Sequence, residues 1–130
     1  MKFLTAIFLL ALALPAWAQT DLNKKVPKYN PAAETVFKGR IEDMVDRRCP
    51  VSGGIGSHIE LRLEDGNAIE VHLATTDFSK MMQLDLRKGD RVEVSGFKTE
   101  FEGVPTIFAR EVKRGVDVFV FRDKDGKPAW

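Results

Sequence analysis

The sequence predicts an all-β domain with one short helix: a five-stranded Greek-key barrel followed by an extra C-terminal strand. Three observations carry this. Apolar residues recur at a spacing of two through most of 34–121, the period of a half-buried strand. Turn signals rich in Gly, Asp and Asn separate the runs. One helix-compatible stretch, from Thr75 to Leu86, falls between the third and fourth strands.

In the first strand Phe37, Gly39 and Ile41 face one way and Lys38, Arg40 and Glu42 the other, with Gly39 marking a bend that closes a small barrel. Ser52-Gly53-Gly54-Ile55-Gly56 reads as a loop after Cys49-Pro50. Ile59, Leu61 and Leu63 alternate with His58, Glu60, Arg62 and Glu64, and Ile69, Val71 and Leu73 with Glu70 and His72, around the turn Asp65-Gly66-Asn67. This is a hairpin in either of two registers, one with His58 opposite His72, the other with Glu60 opposite His72 and His58 a diagonal step away. Both registers gather the histidines on the polar face. Thr75 or Thr76 caps a helix that turns Phe78, Met81, Met82 and Leu86 to the core, and Lys88-Gly89-Asp90 stops it. Val92 and Val94 open the fourth strand, Gly96 bends it, and Glu102-Gly103 turns into a fifth from Pro105 to Val112. That order is the order of the OB-fold barrel, which offers a binding face on strands two and three. Val116 to Phe121, apolar on both faces, adds the extra strand; Arg122 to Gly126 turns, and Trp130 packs as a plug.

Residues 1–18 have the three parts of a signal peptide: Lys2, the apolar run Phe3 to Leu14, and the small-x-small triplet Ala16-Trp17-Ala18, with cleavage expected after Ala18. The apolar run is shorter than the roughly 20 residues a bilayer-spanning helix needs, so no membrane span is expected after cleavage. Residues 19–33, with Pro27 and Pro31, read as an extended arm, and 34–130 as one OB-fold-like domain. The expected location is periplasmic or secreted.

Cleavage removes Lys2, so the 20 basic residues of the chain fall by one and equal its 19 acidic ones. Signs interleave along the sequence, as in Arg110-Glu111-Val112-Lys113, and strands two and three carry no stacking aromatics. Both points disfavour nucleic acid, which is held by clustered cations and stacked rings. Cys49 is the single cysteine, so no intramolecular disulfide forms; it is a buried filler, an intermolecular partner or a metal ligand.

Cys49, His58 and His72, the only cysteine and the only histidines, fall at or beside one hairpin. A thiolate and two imidazoles suit zinc or copper. Glu60 and Glu70 on the same face offer a fourth ligand or an orienting carboxylate, and with Arg62 they complete a ligand face. The competing reading makes the histidines solvated strand residues and Cys49 a core filler. No nucleophile motif accompanies these residues, so the chain reads as a binding module and not an enzyme. Its expected partner is a metal ion, a glycan or an envelope protein. A structural role in an envelope assembly and a nucleic-acid-binding OB domain are the alternatives.

The chain resembles small exported OB-fold proteins related to the C-terminal domain of the magnetosome proteins MamS and MamX. The resemblance runs from about Tyr29 to Trp130 and rests on Tyr29-Asn30-Pro31-Ala32-Ala33-Glu34, Cys49-Pro50 with Gly56-Ser57-His58, Val71-His72-Leu73, Lys88-Gly89-Asp90 with Val94-Ser95-Gly96, Ala109-Arg110-Glu111-Val112, and Arg122-Asp123 with Gly126 and Pro128-Ala129-Trp130. It implies the fold. The Cys-x-x-Cys-His haem motif that occurs in MamX has no counterpart in this sequence, so haem chemistry does not carry over. A looser similarity to periplasmic bacterial OB-fold stress proteins implies a binding role in that compartment.

Overall fold

The computed structural model describes residues 26–130; the expected signal peptide, the expected cleavage point at Ala18 and the part of the expected arm up to residue 25 lie outside the described residues. A 3-10 turn, Pro31–Ala33, leads into β1 (Glu34–Cys49), β2 (Gly54–Leu63) and β3 (Ala68–Thr75). Helix α1 (Thr76–Met81) follows, then β4 (Arg91–Phe101), β5 (Val104–Arg114) and β6 (Asp117–Val120). The sheet order is β3-β2-β1-β4-β5-β6, and a short parallel pairing of β3 with β5 joins the first five strands into a barrel-like ring. This is the expected all-β order with one helix between the third and fourth strands. Among the described residues no helix is long and apolar enough to cross a membrane.

The ring closes because β1 pairs with two neighbours. Its first half lies against β4 and its second half against β2, and Gly39 is opposite both Val92 and Leu63 where the partners change. A Cβ at Gly39 would collide with the Arg62 carbonyl, so the close crossing requires glycine. Ile41, Ile59, Leu61, Val71, Leu73, Val94, Ile107, Val112 and Phe121 fill the interior.

Two irregularities set where the side chains point. A β-bulge between Ile41 and Asp43 inserts one residue into β1. Alternation therefore changes phase: Ile41 and Met44 both pack toward the core, and Val45, Arg47 and Cys49 emerge on the outer face beside His58. A second shift leaves Leu73 as an extra residue between Ala74, opposite Ser57, and His72, opposite His58. The hairpin thus takes the register in which the two histidines face each other.

Several expectations are corrected. The loop after Cys49 is shorter than composition suggests, since only 50–53 turn and Gly54, Ile55 and Gly56 belong to β2. Thr75 is the helix cap, accepting from the Phe78 amide, but α1 ends at Met81, well before Lys88-Gly89-Asp90. Gln83 in left-handed geometry ends it. Met81, expected in the core, is 74% exposed, whereas Phe78, Met82 and Leu86 do pack inward. The last run is not apolar on both faces in effect, because Phe119 and Phe121 pack inward and Val118 and Val120 stay half exposed.

The end of the N-terminal arm and the chain's C-terminal segment meet. Tyr29 is buried, donates to Glu34 Oε1 at 2.6 Å, and packs edge-on against Phe97. Arg122 is also buried, stacked between the rings of Tyr29 and Trp130, with Nη1 donating to the Gly126 carbonyl. The turn from Arg122 to Gly126 returns the chain so that Ala129 pairs with Phe121, which lays Trp130 over the hairpin.

Candidate metal centre

Strand pairing brings Cys49, His58 and His72 to one place on the outer face. One nitrogen of each imidazole and the Cys49 Sγ lie within 4.8 Å of one another, and all three residues are buried. The imidazole rings meet edge to face, with centroids 5.0 Å apart. The expected solvated face is therefore not solvated here: His58 is 3% and His72 1% exposed. Phe108, opposite His72 across the β3–β5 pairing, packs its ring 5.8 Å away, and the Trp130 ring lies 5.9 Å from His72.

The turn 50–53 completes the cover. Ser52 Oγ shares a hydrogen bond with His72 Nε2 at 2.9 Å. Gly56 permits this, because a Cβ there would collide with Ser52 Oγ and press on Cys49. A pocket of about 330 Å³ lined by Cys49, Pro50, His58, Glu70, His72 and Phe108 among others opens onto the site. This places the site on the strand-two and strand-three face between the β1–β2 and β4–β5 turns, where OB-folds carry their ligands.

Burial holds both imidazoles neutral. Desolvation, then the charge of Arg47, lowers His58 to about 4 against an opposing pull from Asp46. Desolvation, then His58, Arg122 and Arg47, lowers His72 to about 3. Nδ1 of His58 and Nδ1 of His72 are buried without a hydrogen-bond partner. Leaving a buried polar atom unpaired costs about 1–3 kcal/mol. Two imidazoles beside a thiol are the donor set of a soft or borderline metal ion, and neutral imidazole is the form that coordinates.

Of the other predicted ligand-face residues, Glu70 lines the same pocket as the cluster. Glu60 and Arg62 are exposed; Arg62 Nε donates to Glu42 Oε1 at 2.6 Å. Glu70 pairs with Arg47, and no carboxylate hydrogen-bonds the ring nitrogens of His58 or His72 among the described residues. Sequence reasoning missed Ser52, Phe108 and Trp130, which contact His72, and Arg122, whose charge acts on it. The strand-period signal does not reveal them, because each comes from a turn or from a strand not adjacent in sequence.

No curated protein matches the chain. The family profile described as the MamS/MamX magnetosome protein family matches residues 33–119. That span includes β1 to β5 and all three residues of the cluster, and the chain belongs to the MamS/MamX magnetosome protein family.

Proposed function

We propose that this chain is an exported binding module that holds one soft transition-metal ion, copper(I) in preference to zinc, on Cys49, His58 and His72. The observation that carries the reading is the convergence of three buried donor residues, with two imidazole nitrogens lacking any other partner. Copper(I) fits the charge. A thiolate and a monovalent ion cancel, whereas zinc would leave a positive charge among Arg47 and Arg122, which already act on these histidines. Copper(I) is also content with three ligands, while zinc sites are four-coordinate. Export is supported by the three-part leader ending at Ala18 and by membership in a family of magnetosome proteins.

A binding role is favoured over catalysis. Ser52 and His72 resemble a nucleophile and its base, but His72 is held neutral by burial far below the useful range, and no third group orients its Nδ1. Nucleic acid is disfavoured because outer-face aromatics are engaged in ring pairs, Phe97 with Tyr29 and Phe101 with Phe108. A role in an envelope assembly has one observation behind it: among the described residues β6 has no strand partner on its outer edge, and it exposes Val118 and Val120.

The test is an anaerobic competition titration of copper(I) and zinc into the untagged protein, beside Cys49→Ser and a His58→Ala/His72→Ala double variant. The reading expects one copper(I) per chain, bound far more tightly than in either variant. Equal affinities in all three proteins would remove the site.

A further inference from the structure

A second site is created where three strands cross. Arg40 in β1 lies directly opposite Arg62 in β2 and directly opposite Arg91 in β4. Three guanidinium groups therefore occupy one rung of the sheet, spanning about 10 Å at roughly 4.8 Å per strand. Directly opposed residues share a face, and like charges so placed destabilise a sheet. A structural role predicts opposite charges, as in the next rung, where Lys38 meets Glu93. Arg62 is held by Glu42 and by the Gly66 carbonyl, but Arg40 and Arg91 form no hydrogen bond or ion pair among the described residues. The rung borders a groove of about 580 Å³, lined by five cationic side chains against the two carboxylates of Glu64 and Glu93. A ligand pocket has about that volume. The interleaved charges of the sequence conceal this cluster, which appears only when the strands pair.

We propose that the Arg62–Arg40–Arg91 rung binds a multivalent phosphate-bearing anion. Guanidinium groups match phosphate in a two-pronged geometry, and a row of three requires an anion with more than one charged group. The phosphate groups come either from a soluble diphosphate or from the headgroups of anionic lipid. The groove shares no residue with the Cys49, His58, His72 cluster, so the proposal stands or falls independently of metal binding.

The test uses the untagged chain, calorimetric titration with inorganic pyrophosphate, and flotation with vesicles of phosphatidylglycerol or phosphatidylcholine. The variants are Arg40→Ala/Arg91→Ala and, as a control that removes two cations elsewhere, Lys98→Ala/Lys124→Ala. Pyrophosphate binding that weakens at least about tenfold in the arginine variant and is unchanged in the lysine variant supports the site. Phosphatidylglycerol binding that follows the same pattern and yields to pyrophosphate assigns the phosphate to lipid; pyrophosphate binding without vesicle binding assigns it to a soluble anion. Absence of both, or equal loss in both variants, overturns the proposal. A separate readout is thermal unfolding without ligand. Relief of repulsion predicts a higher melting temperature for Arg40→Ala, and a lower one would make the rung structural.

Discussion

His58 and His72 face each other across the β2–β3 pairing with ring centroids 5.0 Å apart, and neither has a partner for its Nδ1. Leaving two such atoms unpaired opposes folding, and a metal ion at the proposed site would offset that cost. The arrangement is poor for the metal-free protein and good for a ligand, and the predictions follow from that tension.

Replacing one histidine with an apolar residue is expected to stabilise the metal-free protein. His58→Leu removes a buried unpaired nitrogen, so its free energy of unfolding in urea with chelator present rises by about 1 kcal/mol. Most core substitutions do the reverse. A loss of about 2 kcal/mol or more would show that His58 is satisfied by groups of the protein itself.

Metal affinity is expected to fall in the same variant. Loss of a ligand exceeds the 10–100-fold typical of an outer partner, so His58→Leu and Cys49→Ser each weaken copper(I) more than about 100-fold. Competition with a chelating dye reads this directly.

Trp130 covers His72, Phe78 and Arg122. Trp130→Ala is expected to lower stability by about 2 kcal/mol, below the range for a fully buried tryptophan because the ring is only half-buried. It also opens Cys49 to alkylation by iodoacetamide faster than in the native chain.

Glu34 gives the pH dependence. Burial alone would raise its carboxyl, but hydrogen bonds from Arg110 and Tyr29, with the Arg110 charge, outweigh it and hold the group below the ordinary 4.5. The lowered folded value makes the contribution complete above the unfolded value and lost as pH falls through the folded one. Partial exposure limits it to about 1 kcal/mol. The stability gap between the native chain and Glu34→Gln is therefore expected to be present at pH 7 and to shrink steadily below pH 4.5. A gap independent of pH would assign Glu34 a packing role.

Much of this was legible in the sequence. The order of strands, the Glu102-Gly103 turn and the gathering of His58 and His72 on one face follow from local periodicity and turn chemistry, whereas the choice of Thr75 over Thr76 as cap and of the register that opposes the two histidines came from the structure. The burial of His72 was not legible, because Phe108 and Trp130 cover it, and Trp130 reaches it only after the chain reverses at Gly126. Nor was the position of Cys49, since strict alternation from Ile41 would send it inward and the bulge at Ile41/Asp43 turns it out. Arg40 reads alone as a solvated residue, and its significance appears only with both of its strand partners in place.

The most direct measurement is the metal content of the untagged protein purified from the cell exterior or periplasm, by mass spectrometry, beside the His58→Ala/His72→Ala variant. The account predicts a chain lacking residues 1–18 that carries near-stoichiometric copper, absent from the variant. Protein without metal, and with no higher affinity for copper(I) or zinc than the variant, would contradict it.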